Sequence, residues 1–232
     1  IDLSSTTDQI SSMNGGVTSG TVTNFENVDA SGFNGFGAVI TGSSVANTII
    51  GTALADQIST GGGADFITGG AGLDTLTGGA GIDTFILSTT AANADTITDF
   101  VSTTDVVDLS ASLTAATLTV NAQLAVGAAA SSTAGIAIVT AAANTDAEVY
   151  YIENTAGGTG ELTLTEIETA IVAGTAATGQ VTVLIDNGTN TEIYIDQAAN
   201  ADATGGAGMI LVGTLSGITG TTAVATNDFI SV

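Results

Sequence analysis

The chain has no lysine, no arginine and no histidine among its 232 residues, yet it carries 16 Asp and 7 Glu, a formal net charge of -23. No carboxylate can therefore find a basic side chain, and side-chain salt bridges are excluded. Phosphate backbones and anionic lipid surfaces are gripped mainly by Lys and Arg, so nucleic acid and acidic membranes are excluded as partners. Cysteine is missing as well. That rules out a disulfide framework and a thiolate site, and it leaves the redox compartment open. Transition metals lose their preferred ligands when both His and Cys are gone, whereas carboxylates and backbone carbonyls suit hard ions such as calcium. Nucleophilic catalysis by Ser or Thr lacks its usual His or Lys base, and a metalloprotease lacks His ligands. Two carboxylates suffice to cleave a glycoside, but a chain without Trp and with 4% aromatics offers no aromatic-lined sugar cleft. The composition points away from an enzyme.

What is present argues for a folded chain. Charged residues make up only 10% and hydrophobic ones 44%, with Val, Ile and Thr plentiful, so the net charge does not imply disorder. The length allows one all-β domain or two small ones, and a solenoid of strands is the natural expectation. The chain begins at Ile1 and shows no basic segment of a signal peptide, as expected for a processed or partial product. From Leu124 to Ala143 the sequence passes a crude hydropathy window. Its small and β-branched residues, and the lack of flanking Lys, Arg or Trp anchors, favour buried strands over a transmembrane helix.

The middle of the chain repeats every nine residues: GTALADQIS at 51–59, TGGGADFIT at 60–68, GGAGLDTLT at 69–77 and GGAGIDTFI at 78–86. Asp56, Asp65, Asp74 and Asp83 recur at one position, and Ile58, Ile67, Leu76 and Phe85 follow two residues later. Upstream, GSSVANTII at 42–50 keeps the frame with Asn47 in the aspartate position. Glycine clusters permit the unusual backbone angles of tight turns, and a short run with one inward apolar side chain is a minimal strand. Each block thus reads as turn plus strand, and two blocks make an 18-residue coil. Turns on one edge then come from alternate blocks, which pairs Asp56 with Asp74 and Asp65 with Asp83. Coils stack about 4.8 Å apart. Two bare carboxylates near 5 Å repel by roughly 3 kcal/mol at an effective dielectric of about 20. With no basic residue to offset this, the spacing calls for a divalent cation between stacked turns.

Blocks 69–77 and 78–86 resemble the G-G-x-G-x-D-x-U-x nonapeptide of the RTX family, whose members form calcium-binding parallel β-rolls. Block 60–68 departs from the pattern by a threonine at the first glycine, and block 51–59 keeps only the first glycine and the aspartate. The resemblance implies side-chain ligands at Asp65, Asp74 and Asp83, with Asp56 at the outermost and weakest site. It also implies carbonyl ligands at Gly61, Gly63, Gly70, Gly72, Gly79 and Gly81. Downstream, ADTITDFVSTTDVVDLS at 94–110 is similar to the segment that follows β-rolls in the secreted metalloprotease branch of the family. That likeness implies Asp95 and Asp99 as caps of the last calcium site, Phe100 packed inward, and Asp105 and Asp108 in the next turn.

Past residue 111 the strands lengthen. A hairpin is expected at Asp186-Asn187-Gly188, and a short helix over 164–172, where Thr163 and Glu166 form a capping box. These elements suggest a β-sandwich or a continued roll closing the solenoid, as repeat arrays require. DQAANAD at 196–202 offers Asp196, Asn200 and Asp202 at loop spacing, but it lacks the EF-hand glycine and glutamate and reads as a polar loop. TNDFISV at the end resembles the tail of type I secretion substrates in this family. At the other end, GTVTNFENVDASGFNG at 20–35 reads as a strand, a turn and another turn, supporting further coils. The expected organisation is all-β: a degenerate solenoid lead-in over 1–41, the calcium-binding β-roll over 42–92, and a β-rich cap over 93–232. The expected function is a secreted, calcium-dependent structural protein of the bacterial surface, such as an S-layer or filament subunit, assembling with its own copies. The alternatives are the C-terminal secretion module of an exported enzyme and a calcium-dependent adhesin.

Overall fold

The computed structural model describes residues 9–10, 21–23, 26–88, 93–109, 136–138, 148–154, 181–196, 209–219, 224 and 228–230. Within them the chain is all-β, and its first half is a parallel solenoid. Successive strands alternate between two sheets. One contains β1 (Gln9–Ile10), β3 (Asn27–Asp29), β5 (Thr48–Ile50), β7 (Phe66–Thr68), β9 (Thr84–Ile86) and β11 (Val106–Asp108). The other contains β2 (Thr21–Thr23), β4 (Val39–Thr41), β6 (Gln57–Gly63), β8 (Thr75–Gly81) and β10 (Asp95–Ile97). Every pairing between these strands is parallel, and in the repeats it joins residues 18 apart, such as Ile58 with Leu76 and Ile67 with Phe85.

These strands can be short because each needs to bury only one side chain. In a three-residue strand the middle residue faces the sheet partner and its neighbours face solvent. The buried residues accordingly stack in two columns. Val28, Ile49, Ile67, Phe85, Val107 and Phe229 fill one sheet, and Ile40, Ile58, Leu76, Ile97 and Leu215 the other, all at most 3% exposed. Phe100 is buried too and lies 6.4 Å from Phe85 between ring centroids, in the inward position expected from the sequence. The ladder runs through β10 and β11 without a break where the nonapeptides stop. The segment 20–35 differs from expectation. Asn27–Asp29 is a strand rather than a turn, because Val28 between two polar residues supplies the one inward side chain a coil requires.

The later strands extend both sheets. β12 (Ile136–Ile138), β13 (Glu148–Asn154), β14 (Val181–Asp186), β15 (Asn190–Asp196) and β16 (Met209–Ser216) continue the second sheet, with β16 parallel to β10. β17 (Phe229–Ile230) is parallel to β11 and ends the first. The expected hairpin joins β14 to β15, where Gly188 takes φ +84° and Asn187 Oδ1 accepts the N–H groups of Thr189 and Asn190. The apolar stretch 124–143 lies outside the described residues except for β12, and the expected helix at 164–172 lies wholly outside them. Among the described residues no helix is long and apolar enough to cross a membrane.

Candidate metal centre

The turns between strands stack as the strands do. The six glycines expected from the sequence, Gly61, Gly63, Gly70, Gly72, Gly79 and Gly81, all take positive φ, from +96° to +144°. Two show why nothing larger fits. A Cβ on Gly79 would run into the carbonyl oxygen of Gly61 one coil earlier, and one on Gly70 into that of Thr52. The turns are thus packed backbone to backbone, with carbonyls directed along the stacking axis. Some of these carbonyls already accept a neighbour, as Ser43 does from the Gly62 N–H at 3.0 Å and Thr52 from the Ala71 N–H at 3.2 Å. A carbonyl has two lone pairs, so each retains capacity for a cation.

At the end of each turn an aspartate folds back into the stack, forming one row along each edge of the solenoid. In the first row, Asp56 Oδ1 accepts the Ala38 N–H at 2.5 Å, Asp74 Oδ1 the Asp56 N–H at 2.7 Å, and Asp95 Oδ1 the Asp74 N–H at 3.1 Å. In the second, Asp65 accepts from Asn47 at 2.7 Å, Asp83 from Asp65 at 3.1 Å, and Asp105 from Asp83 at 3.1 Å. The i to i+18 pairing expected from the repeat is therefore present. The sequence treated the paired carboxylates as bare. In the fold each gives one oxygen to the backbone of the preceding coil, which offsets part of their repulsion.

The second oxygens divide the aspartates into two groups. Oδ2 of Asp65, Asp74, Asp83 and Asp95 is buried with no hydrogen-bond partner. Asp56 is different: its oxygens also accept the Thr52 N–H and the Thr52 hydroxyl. A buried carboxylate oxygen without a partner is costly, and four of them beside carbonyl-lined glycine turns fit a hard divalent cation. Among the described residues no three carboxylates converge on one point. An ion held here would take one or two carboxylate oxygens and complete its shell from the backbone. Without an ion, burial favours the protonated forms of Asp74, Asp83 and Asp95. It raises Asp83 to about 6, with the charges of Asp65, Asp105 and Asp99 adding to the effect, and Asp95 to about 8, helped by the charge of Asp74. Asp74 and Asp105 are raised as well, again mainly by burial.

The structure separates Asp95 from Asp99, which the sequence had set together at one terminal site. Asp95 opens β10 and extends the first row, whereas Asp99 lies beyond that strand at the opposite edge. There its two oxygens accept the N–H groups of Gly78 and Gly79 at 3.0 and 2.7 Å. The three-residue strand between them forces them to opposite edges, so each closes a different turn. Asp105 continues the second row, with its other oxygen taken by the Val101 N–H at 2.8 Å. Asp108 lies on β11 rather than in a turn. Two participants were missed in the sequence. Asn93 Oδ1 accepts the Gly72 N–H at 3.1 Å, replacing a glycine turn, and Asp228 Oδ1 accepts the Thr103 N–H at 2.8 Å across 125 residues. Asn93 stands two residues before Asp95, as Gly72 stands two before Asp74, and this offset was a readable signal. Nothing local marked Asp228. Of the 196–202 segment, Asn200 and Asp202 lie outside the described residues.

Against known families, a model described as the RTX calcium-binding nonapeptide repeat, four copies, matches residues 50–85. This chain carries an RTX calcium-binding repeat. The matched repeats are the coils whose turns hold Asp56, Asp65, Asp74 and Asp83, while Asp95 and Asp105 lie beyond them. Among solved structures, the AlgE6R3 subunit of the Azotobacter vinelandii mannuronan C5-epimerase, a solution structure, is 20% identical with a TM-score of 0.40, over 92% of this chain and 80% of that one. At that score the likeness is loose, and the stacked RTX coils define the fold by their own strand pairing. No curated protein matches the chain.

Proposed function

We propose that this RTX protein is a calcium-dependent structural subunit of the bacterial cell surface, exported unfolded through a type I secretion route and folded outside. The observation that carries this reading is the set of buried, unpartnered Oδ2 atoms on Asp65, Asp74, Asp83 and Asp95, in a chain with no basic side chain to neutralise them. Metal binding and folding are then one equilibrium, and extracellular calcium at millimolar concentration drives it. Extracellular modules bind at about 10⁻⁴ to 10⁻³ M, so each site contributes on the order of 1 kcal/mol and stability comes from their number. Candidate ligands are those four carboxylates and the carbonyls of the turn glycines Gly61, Gly63, Gly70, Gly72, Gly79 and Gly81. Asp56 and Asp99, whose oxygens take backbone N–H groups, serve the turns. The role is structural rather than catalytic, and the partner is further copies of the chain.

Circular dichroism during a calcium titration of the purified chain tests the coupling. The β signal should appear cooperatively between about 0.1 and a few mM and vanish with chelator. A spectrum indifferent to chelator would overturn it. Electron microscopy with and without calcium tests assembly: sheets or filaments are expected only with the ion, and dispersed particles in both states would remove the surface-layer role.

A further inference from the structure

For a molecule of net charge -23, the solenoid hides its charge unusually well. Between residues 39 and 98 the only ionisable side chains are Asp56, Asp65, Asp74, Asp83 and Asp95, and all five are at most 2% exposed. The outer faces of both sheets are therefore uncharged over this span. They differ in chemistry. The face built by β4, β6, β8 and β10 presents mostly hydroxyls, among them Thr41, Ser59, Thr77 and Thr98, with a 2.7 Å contact between the last two. The opposite face, on β5, β7 and β9, presents Thr48, Ile50, Phe66, Thr68, Thr84 and Ile86 in two in-register columns. Phe66 stands at its centre, 51% exposed. Asp29 on β3 ends the stripe on one side and Asp108 on β11 ends it on the other.

We infer that this apolar stripe is where a second copy of the chain packs, sheet against sheet. The inference extends the proposed assembly by naming its surface. The argument is electrostatic. Two polyanions without a basic side chain meet with least repulsion where neither presents a carboxylate, and of the two outer sheet faces this one carries Ile50, Phe66 and Ile86, against Val39 alone among the apolar side chains of the other. A cationic partner would be drawn instead to the acidic parts of the molecule. An identical partner also matches in spacing, since both stripes repeat at the strand separation of about 4.8 Å and their side chains interdigitate as in stacked sheets. Asp29 and Asp108 set the register. A slip along the stack would bring a carboxylate of one copy onto the apolar stripe of the other, where it would lose its water, so a two-fold contact that keeps the acids at the rim is selected.

Sedimentation velocity of the full chain in 5 mM calcium, with circular dichroism on the same samples, provides the test. The wild type should sediment as a dimer or larger at tens of micromolar. Phe66→Ser adds no charge beside Asp65, and Ile86→Asp places one on the stripe. Both should weaken association at least tenfold while the calcium-induced β signal remains, and Thr41→Asp on the hydroxyl face should change nothing. Because the chain has no cysteine, Thr68→Cys introduces a unique thiol, which should crosslink through a short bis-maleimide, whereas Thr41→Cys should not. Association that survives both stripe variants and is lost with Thr41→Asp would overturn the face and leave assembly standing. A wild type that folds with calcium yet stays monomeric would overturn the assembly as well. A monomer that binds a neutral polysaccharide, and loses it with Phe66→Ser, would hand the stripe to that ligand and end the proposal.

Discussion

Each aspartate in the rows has two oxygens with two functions, and substitutions should separate them. Asp74→Asn keeps an oxygen for the Asp56 N–H but removes the charge from the unpartnered position. The calcium midpoint should rise several-fold, on the order of 1 kcal/mol for one site. Asp56→Asn, at an aspartate already supplied by Ala38 and Thr52, should shift it less than twofold. Calorimetric titration of both variants checks the order, and equal shifts would refute the division. The pH response follows from the same atoms. Unfolded aspartates titrate near 4, while in the metal-free fold Asp83 is raised to about 6 and Asp95 to about 8. Between those limits the folded chain holds more protons than the unfolded one, so stability without metal falls as pH rises. Below about pH 4 this deficit is absent. The calcium-free chain should therefore show more β signal at pH 4.5 than at pH 8, and calcium should bind more tightly as pH rises because it displaces protons. A metal-free signal that grew from pH 4.5 to 8 would contradict this.

At the scale of the turn and the strand, the glycines and the terminal strand carry the geometry. Gly79 and Gly188 both take positive φ, but only Gly79 faces a stacked backbone. Gly188→Ala should cost the backbone strain alone, roughly 1 to 2 kcal/mol. Gly79→Ala adds the collision with Gly61 and should cost on the order of 2 to 5 kcal/mol. Calcium-saturated thermal melts of the two variants measure the difference. β17 closes the first sheet with Phe229 buried in the column and Asp228 bound to the Thr103 N–H. Phe229→Ala should cost about 3 to 5 kcal/mol. It should speed hydrogen exchange at Val106–Asp108, whose outer edge it uncovers, more than at Thr48–Ile50 far along the ladder. The tail that resembled a secretion signal is thus also part of the finished fold.

For the whole molecule, the two columns of apolar residues and the two rows of aspartates form one stack. Neighbouring coils share carboxylates through backbone N–H groups, so losing one ion loosens two turns, and folding is expected to be cooperative along the solenoid. The later strands add to the same two sheets instead of forming a separate body: β16 lies on β10 and β17 on β11. Between residues 39 and 98 the solenoid's charge is internal, and Asp29 on β3 and Asp108 on β11 stand at the two ends of that span.

The nine-residue period by itself determined the coil length, the inward positions of Ile58, Ile67, Leu76 and Phe85, the i to i+18 pairing and the choice of calcium. These follow from local geometry repeated at fixed spacing and from the lack of any basic residue. Tertiary structure alone decided which carboxylate oxygens remain unpartnered, because that depends on N–H groups supplied by the preceding coil. It also placed Asp95 and Asp99 on opposite edges and brought Asp228 to Thr103, since contacts across 125 residues leave no local pattern to read. The uncharged faces likewise emerged only from the fold, which turns every aspartate between residues 39 and 98 into the stack.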